Sequence, residues 1–213
     1  MAGSCCARDY ESFFGRRQAA RDARGFRRHG LRGSARDLAE LSGDVRGASV
    51  LEVGGGVGAI ELELLAAGAD RATNVELSGE YEDAAGELLS ERGLSEQVER
   101  RIGDFVAEAG TIEPHDVVVM HRVVCCYPDV DALVGAAAER TRRKLVLTYP
   151  QERAIVRAGL GLVNAILRLR RSNFRVYVHP ARRIEAAAGK HGLMPTARRR
   201  HGLLWESVAF SKD

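Results

Sequence analysis

The chain has 213 residues, 45% of them hydrophobic and 29% charged, with a net charge of +3. That length suits one α/β domain with a full core and is too short for two comfortable ones. The composition is that of an ordinary soluble globular protein, with no apolar run near the ~20 residues of a membrane span. A small net charge argues against a nucleic-acid partner, which would call for a continuous basic stripe with interleaved aromatics.

Residues 1–47 read as an N-terminal helical cap. Met1 to Cys6 lacks the basic-then-apolar order of a secretion signal, so a cytoplasmic protein with no membrane partner is expected. Tyr10, Phe13 and Phe14 form an apolar cluster. Arg16 to His29 is helical in pattern, with Ala19, Ala20, Ala23 and Phe26 on one side, and Gly30 and Gly33 end it. Ser34-Ala35-Arg36-Asp37 starts a second helix, with Ser34 as its N-cap and Leu38 and Leu41 facing inward. The basic clusters Arg16 to Arg36 and Arg198 to Arg200 read as solvated helix faces.

Residues 48–213 read as one α/β domain. It opens on Val50-Leu51-Glu52-Val53-Gly54-Gly55-Gly56-Val57-Gly58, a buried strand running into a glycine turn, with a helix from Ala59. Such a turn lets a ligand approach the main chain, and the helix that follows points free N–H groups and its positive dipole end into the same space. A dinucleotide turn wants G-x-G-x-x-G on a pyrophosphate; here the glycines fall at Gly54, Gly56 and Gly58, and Ala59 takes the last glycine's place. Glu52, two residues before the first glycine, suits an ammonium-bearing ligand and would repel a pyrophosphate.

Ala72 to Leu77 is the second strand. Its Glu76 falls at the carboxyl end, beside the crevice, where a carboxylate can accept both hydroxyls of a ribose. Ser78 to Arg92 is a charged helix with Tyr81, Ala84, Ala85, Leu88 and Leu89 inward. Val98 to Ile102 is a short third strand, followed by Gly103-Asp104-Phe105. Asp116 to Met120 is the central fourth strand, apolar throughout because both its faces are covered. It leads into His121-Arg122-Val123-Val124-Cys125-Cys126-Tyr127-Pro128-Asp129. A helix over Asp131 to Thr141 and a fifth strand over Arg143 to Pro150 come next. Gln151 to Arg171 is a long helix with apolar residues on most sides, which implies burial, a lid over an apolar ligand, or a subunit contact as in a homodimer. Phe174 to Pro180 alternates like a sixth strand, Arg182 to His191 is a helix, and Ser207 to Phe210 marks the seventh strand, with Trp205 before it as core. The fold class is therefore α/β: a Rossmann-like, doubly wound, seven-stranded sheet, mostly parallel with an antiparallel last strand.

The ordered set Glu52/Gly54/Gly56/Gly58, Glu76, Gly103-Asp104, the Asp116 strand and a terminal strand pair resembles the class I S-adenosylmethionine (SAM) methyltransferases over residues ~48–213. The resemblance implies SAM as cofactor and transfer of its methyl to a small-molecule acceptor at O, N or a soft heteroatom. It implies cofactor contacts at Glu52, Gly54, Gly56, Gly58, Glu76, Leu77, Asp104, Phe105 and His121, with Asp104 taking the adenine amine and Phe105 lying against the ring. Tyr10 would close over the cofactor from the cap. The Tyr127-Pro128 pair and the Phe174 to Pro180 pattern are loosely similar to the magnesium-protoporphyrin O-methyltransferases. His121 stands where those enzymes carry an aspartate, which tells against a porphyrin substrate.

His121 is the candidate catalytic residue, as a base or as a positioning group at the end of the fourth strand; His179 is expected to be structural. No metal is expected. The pairs Cys5-Cys6 and Cys125-Cys126 follow no zinc spacing, although four thiols meeting at the cleft could hold a soft metal or metalloid. Two other readings stay open: a non-catalytic subunit or regulator that keeps the fold, tested by labelled-methyl transfer, and an NAD-binding oxidoreductase, disfavoured by the glycine spacing.

Overall fold

The structure is a computed structural model that describes Tyr10 and residues 13–212. The Cys5-Cys6 pair lies outside the described residues. The elements are α1 (Arg16–His29), α2 (Gly33–Ser42), β1 (Ser49–Val53), α3 (Ala59–Ala66), β2 (Arg71–Glu76), α4 (Glu82–Arg92), β3 (Val98–Ile102), α5 (Phe105–Glu108), β4 (His115–His121), α6 (Val130–Glu139), β5 (Thr141–Pro150), α7 (Ala154–Leu169), α8 (Ala181–Gly189), β6 (Leu193–His201) and β7 (Trp205–Lys212). They build one seven-stranded sheet in the order β3-β2-β1-β4-β5-β7-β6, in which β7 runs antiparallel to both its neighbours. The strand order reverses between β1 and β4, so their carboxyl ends open the crevice where such sheets bind ligands.

Side chains alternate across a strand, and this alternation divides the core in two. On one face Leu51, Val53, Val75, Val118 and Met120 pack with Leu133 and Ala137 of α6 and with Ile184 of α8. On the other, Val50, Ala72, Val117 and Val119 pack with Leu38 and Leu41 of α2 and with Ile60 and Leu64 of α3. A third cluster sets Ala19, Ala23 and Phe26 of α1 against Leu88 and Leu89 of α4. Ala20 is exposed, away from the face its neighbours bury.

Phe174 to Pro180 is not a strand. It runs irregularly, and its main chain is held from outside the sheet: Tyr177 N donates to Cys125 O at 2.7 Å, and Val176 is bonded to the Asn164 side chain. An extended chain alternates its side chains whether or not it joins a ladder, so the pattern alone could not tell the two apart. The sixth strand is instead Leu193–His201, which carries Arg198 to Arg200. Those arginines therefore sit on an edge strand rather than a helix, where charge also blocks pairing with another chain. They form ion pairs with Glu185, Glu206, Asp37 and Glu40. Ser34 is not an N-cap either: α2 starts at Gly33 after Arg32, and Ser34 is fully buried within the first turn.

Candidate active site

The β1–α3 turn is shaped from beneath by buried carboxylates. Gly58 precedes α3 at φ 77°, and a Cβ there would come within 2.1 Å of Glu61 Oε1. At Gly54, with φ 64°, a Cβ would meet Val123 at 2.5 Å. Both positions need glycine for its backbone and for want of space. Glu52 shares the parity of Val50 and so points to the α3 side of the sheet. Its carboxylate accepts from Glu61 N at 2.8 Å and is 2% exposed. It satisfies a free amide at the start of α3. Glu52 thus shapes the turn and does not stand on the cavity wall to meet an ammonium group.

Glu61 accepts from Asn74 Nδ2 at 2.9 Å and faces Arg100 at 3.7 Å. Arg100, from β3, also donates to Gly56 O at 2.9 Å and to Glu82. Three buried acids thus gather around one arginine. Burial is the largest effect on each, raising Glu52 well above the carboxylate range, Glu61 to about 7, and Glu76 also upward. Arg100 is a positioning group that the sequence pattern did not mark, since one arginine on a charged strand looks like solvent-facing charge.

Glu76 ends β2 with both carboxylate oxygens engaged, accepting from Gly56 N at 2.9 Å and from Ser78 N at 3.0 Å. A carboxylate oxygen can accept more than one hydrogen bond, so each keeps capacity for a further donor. Asp104 opens α5 by accepting from Val106 N at 3.0 Å, and the Tyr127 hydroxyl reaches it from across the cleft at 3.3 Å.

A cavity of about 490 Å³ lies at the carboxyl ends of β1, β2 and β3 on the α6 side. Gly54, Leu77, Asp104 and Phe105 form part of its wall, whereas Glu52, Gly56, Gly58, Glu76 and His121 do not. Tyr10 and Cys126 line it from the cap and the β4 loop, and Phe174 and Tyr177 cover it. Tyr10 stacks on Phe14 with ring centroids 4.3 Å apart and meets Phe174 edge-on. Burial and then the charge of Glu76 push its hydroxyl well above its ordinary pKa, so it stays protonated.

His121, with the parity of Val117 and Val119, faces α2. Its Nε2 lies 3.0 Å from Ser34 Oγ, which also accepts from Arg122 Nη2 at 3.2 Å. Ser34 Oγ and His121 Nε2 thus share one hydrogen bond, whose direction follows the imidazole tautomer. Burial and then the Arg122 charge depress the histidine to about 3, so it is neutral. Arg122 has φ 59° and stacks on Trp205 with its guanidinium carbon 4.7 Å from the ring centroid. Trp205 is part-buried and supports this arginine rather than filling the core. His179 bonds Tyr127 O at 2.9 Å, a structural contact on the loop that lines the cavity.

Cys125 and Cys126 bring their sulfurs to 3.6 Å, and both bond Arg122 O. Among the described residues no three His, Cys, Asp or Glu side chains gather as a metal would need.

The sheet order, the glycine turn and the acids at successive strand ends define the class I SAM-dependent methyltransferase fold. Solved structures with that fold match the chain. Magnesium protoporphyrin IX methyltransferase from Synechocystis, with bound S-adenosylhomocysteine (SAH), is 18% identical, with 84% of this chain and 82% of that one covered and a TM-score of 0.69. An O-methyltransferase family protein from Burkholderia thailandensis is 16% identical, covering 84% and 55%, with a TM-score of 0.68. Geranyl diphosphate C-methyltransferase from Streptomyces coelicolor, solved with Mg2+, geranyl diphosphate and SAH, is 12% identical, covering 84% and 78%, with a TM-score of 0.65. No protein-family model and no curated protein matches the sequence.

Proposed function

We propose that the protein is a SAM-dependent methyltransferase acting on a small-molecule acceptor. One observation carries the reading: three neighbouring strands bring the glycine turn at Gly54, Leu77 and Asp104 to their carboxyl ends around one cavity, on the fold these enzymes share. The chemistry of the wall fits an adenosine. Leu77 and Phe105 offer apolar surface for a ring and Asp104 an acceptor for an amine, while Glu76, off the wall but next in sequence to Leu77, has capacity left for hydroxyls.

When bound, SAM supplies an electrophilic methyl on a sulfonium. The chain's part is to hold and orient: the turn brings main chain close to the ligand, and Tyr10, Phe174 and Tyr177 keep water from the apolar wall. His121 is not placed to act as a base, since its side chain faces α2 and not the cavity. Its Nε2 is taken by Ser34, and a group depressed to about 3 is a weak base at neutral pH. The acceptor is therefore one that reacts without losing a proton to His121.

Calorimetric titration with SAM and SAH is the direct test, with micromolar binding of both expected. A protein that binds neither and transfers no labelled methyl to extract metabolites would remove the reading.

A further inference from the structure

Of the roles that its apolar breadth allows, helix α7 does not take burial. Of its sixteen residues only Val156 and Leu167 are buried. Ile155, Leu162, Ile166 and Leu169 recur one or two helical turns apart along one stripe and are 68%, 65%, 42% and 84% exposed. The helix and the chain after it are strongly basic. Arg153, Arg157, Arg168, Arg170 and Arg171 are all exposed, and no acidic residue occurs between Glu152 and Glu185. Among the described residues only Arg157 of these five has an ion pair, with Glu152.

We propose that α7 is an interfacial helix that lays its Ile155–Leu162–Ile166–Leu169 stripe into the surface of an anionic lipid bilayer. An exposed apolar stripe on a helix whose other charges are all basic is the pattern that partitions into the headgroup region. The arginines around its C-terminal end add attraction to anionic headgroups, each worth about fivefold in affinity. Charge favours this occupant over a second copy: the exposed arginines at the C-terminal end match anionic headgroups, whereas a second α7 would offer them only Glu152, which already pairs with Arg157. No described helix is long and apolar enough to cross a membrane; α7 lies on one instead.

The helix is tied to the cavity. Asn164, on its inner side, donates to Val176 O at 2.8 Å and accepts from Val176 N at 2.9 Å. It thereby clamps the segment whose Phe174 and Tyr177 cover the cavity. A bilayer under α7 places that cover at the lipid surface. If the methyltransferase reading holds, on which this last step rests, the acceptor is an amphiphile that reaches the cleft from the membrane.

Flotation of the full chain with phosphatidylcholine vesicles, with and without phosphatidylglycerol, tests the docking and needs no cofactor. It therefore stands or falls apart from methyl transfer. Wild type should float with the anionic vesicles. Leu162→Glu with Leu169→Glu, and separately Arg168→Glu with Arg171→Glu, should each lower partitioning by about tenfold or more. These side chains are exposed, so circular dichroism and melting should stay unchanged. Failure of wild type to float with anionic vesicles overturns the proposal. So does flotation that neither variant weakens. A dimer in solution that Leu162→Glu splits, with vesicle binding intact, would assign the stripe to a second copy instead.

Discussion

At the β1–β2 end of the cleft the main chain and its buried supports set the geometry. Gly54 and Gly58 take positive φ, Glu52 and Glu61 hold the turn from below, and Arg100 ties in Gly56 O. At the β4 end, side chains from distant parts of the chain set it. Ser34 from α2, Arg122 after β4 and Trp205 of β7 orient His121. Apart from Arg100, which reaches in from β3, the first end is built from residues close in sequence, and it tolerates almost no change of backbone. The second depends on which helix covers which face, and it tolerates change in proportion to each bond.

Changes that break the first end should have the largest effects. Gly58→Ala sets a Cβ against Glu61 Oε1 at a positive φ and is expected to cost ~2–4 kcal/mol in a denaturant melt. A cost below that of an ordinary surface substitution would mean the turn can relax. Glu76→Gln keeps the size but loses a charge that accepts from Gly56 and Ser78; SAH affinity should fall ~10–100-fold by calorimetry. An unchanged affinity would take Glu76 out of the cofactor site.

The acids also sharpen the contrast through pH. Glu61 is raised to about 7 in the folded chain from an ordinary 4.5. A raised carboxylate stabilises the fold fully below its unfolded value and loses that contribution as pH rises. Stability from this group should therefore decline between pH 4.5 and about 7, and Glu61→Gln should flatten that part of the profile. His121, depressed to about 3, has the opposite sign: its contribution is present above 6.5 and is lost as pH falls toward 3. Thermal melts across this range separate the two.

At the β4 end, Ser34→Ala strands Arg122 and His121 Nε2 and is expected to cost ~1–2 kcal/mol, with a shift in the imidazole nitrogen resonances of His121. The smallest change is expected in the pH dependence of turnover, which should show no limb near 6.5. A limb there that His121→Gln removes would restore the base role and break the comparison.

The first end was legible because its signals are local. A buried apolar strand, glycines at the turn and acids at successive strand ends follow from propensity and spacing, and the structure places Leu77, Asp104 and Phe105 on the cavity wall. Parity also carried information about Glu52 and His121: both fall on the side of Val50 and Val117, away from the Val53 side that faces the cavity. What parity could not supply was the identity of the partner on that side. Ser34 looked like a cap because its local pattern fits one, and Phe174 to Pro180 looked like a strand because extended chain and strand share a period.

The sequence by itself determined the doubly wound sheet, the place of the glycine turn and the order of the acids beyond it, since strand alternation and the φ demands of a turn act over a few residues. Only the tertiary structure decided that Glu52 braces α3, that His121 is bonded to Ser34 and kept neutral by burial, and that α7 leaves its apolar stripe uncovered. The Ser34–His121 bond joins residues 87 apart, and all three features depend on how the layers close, which no local pattern encodes.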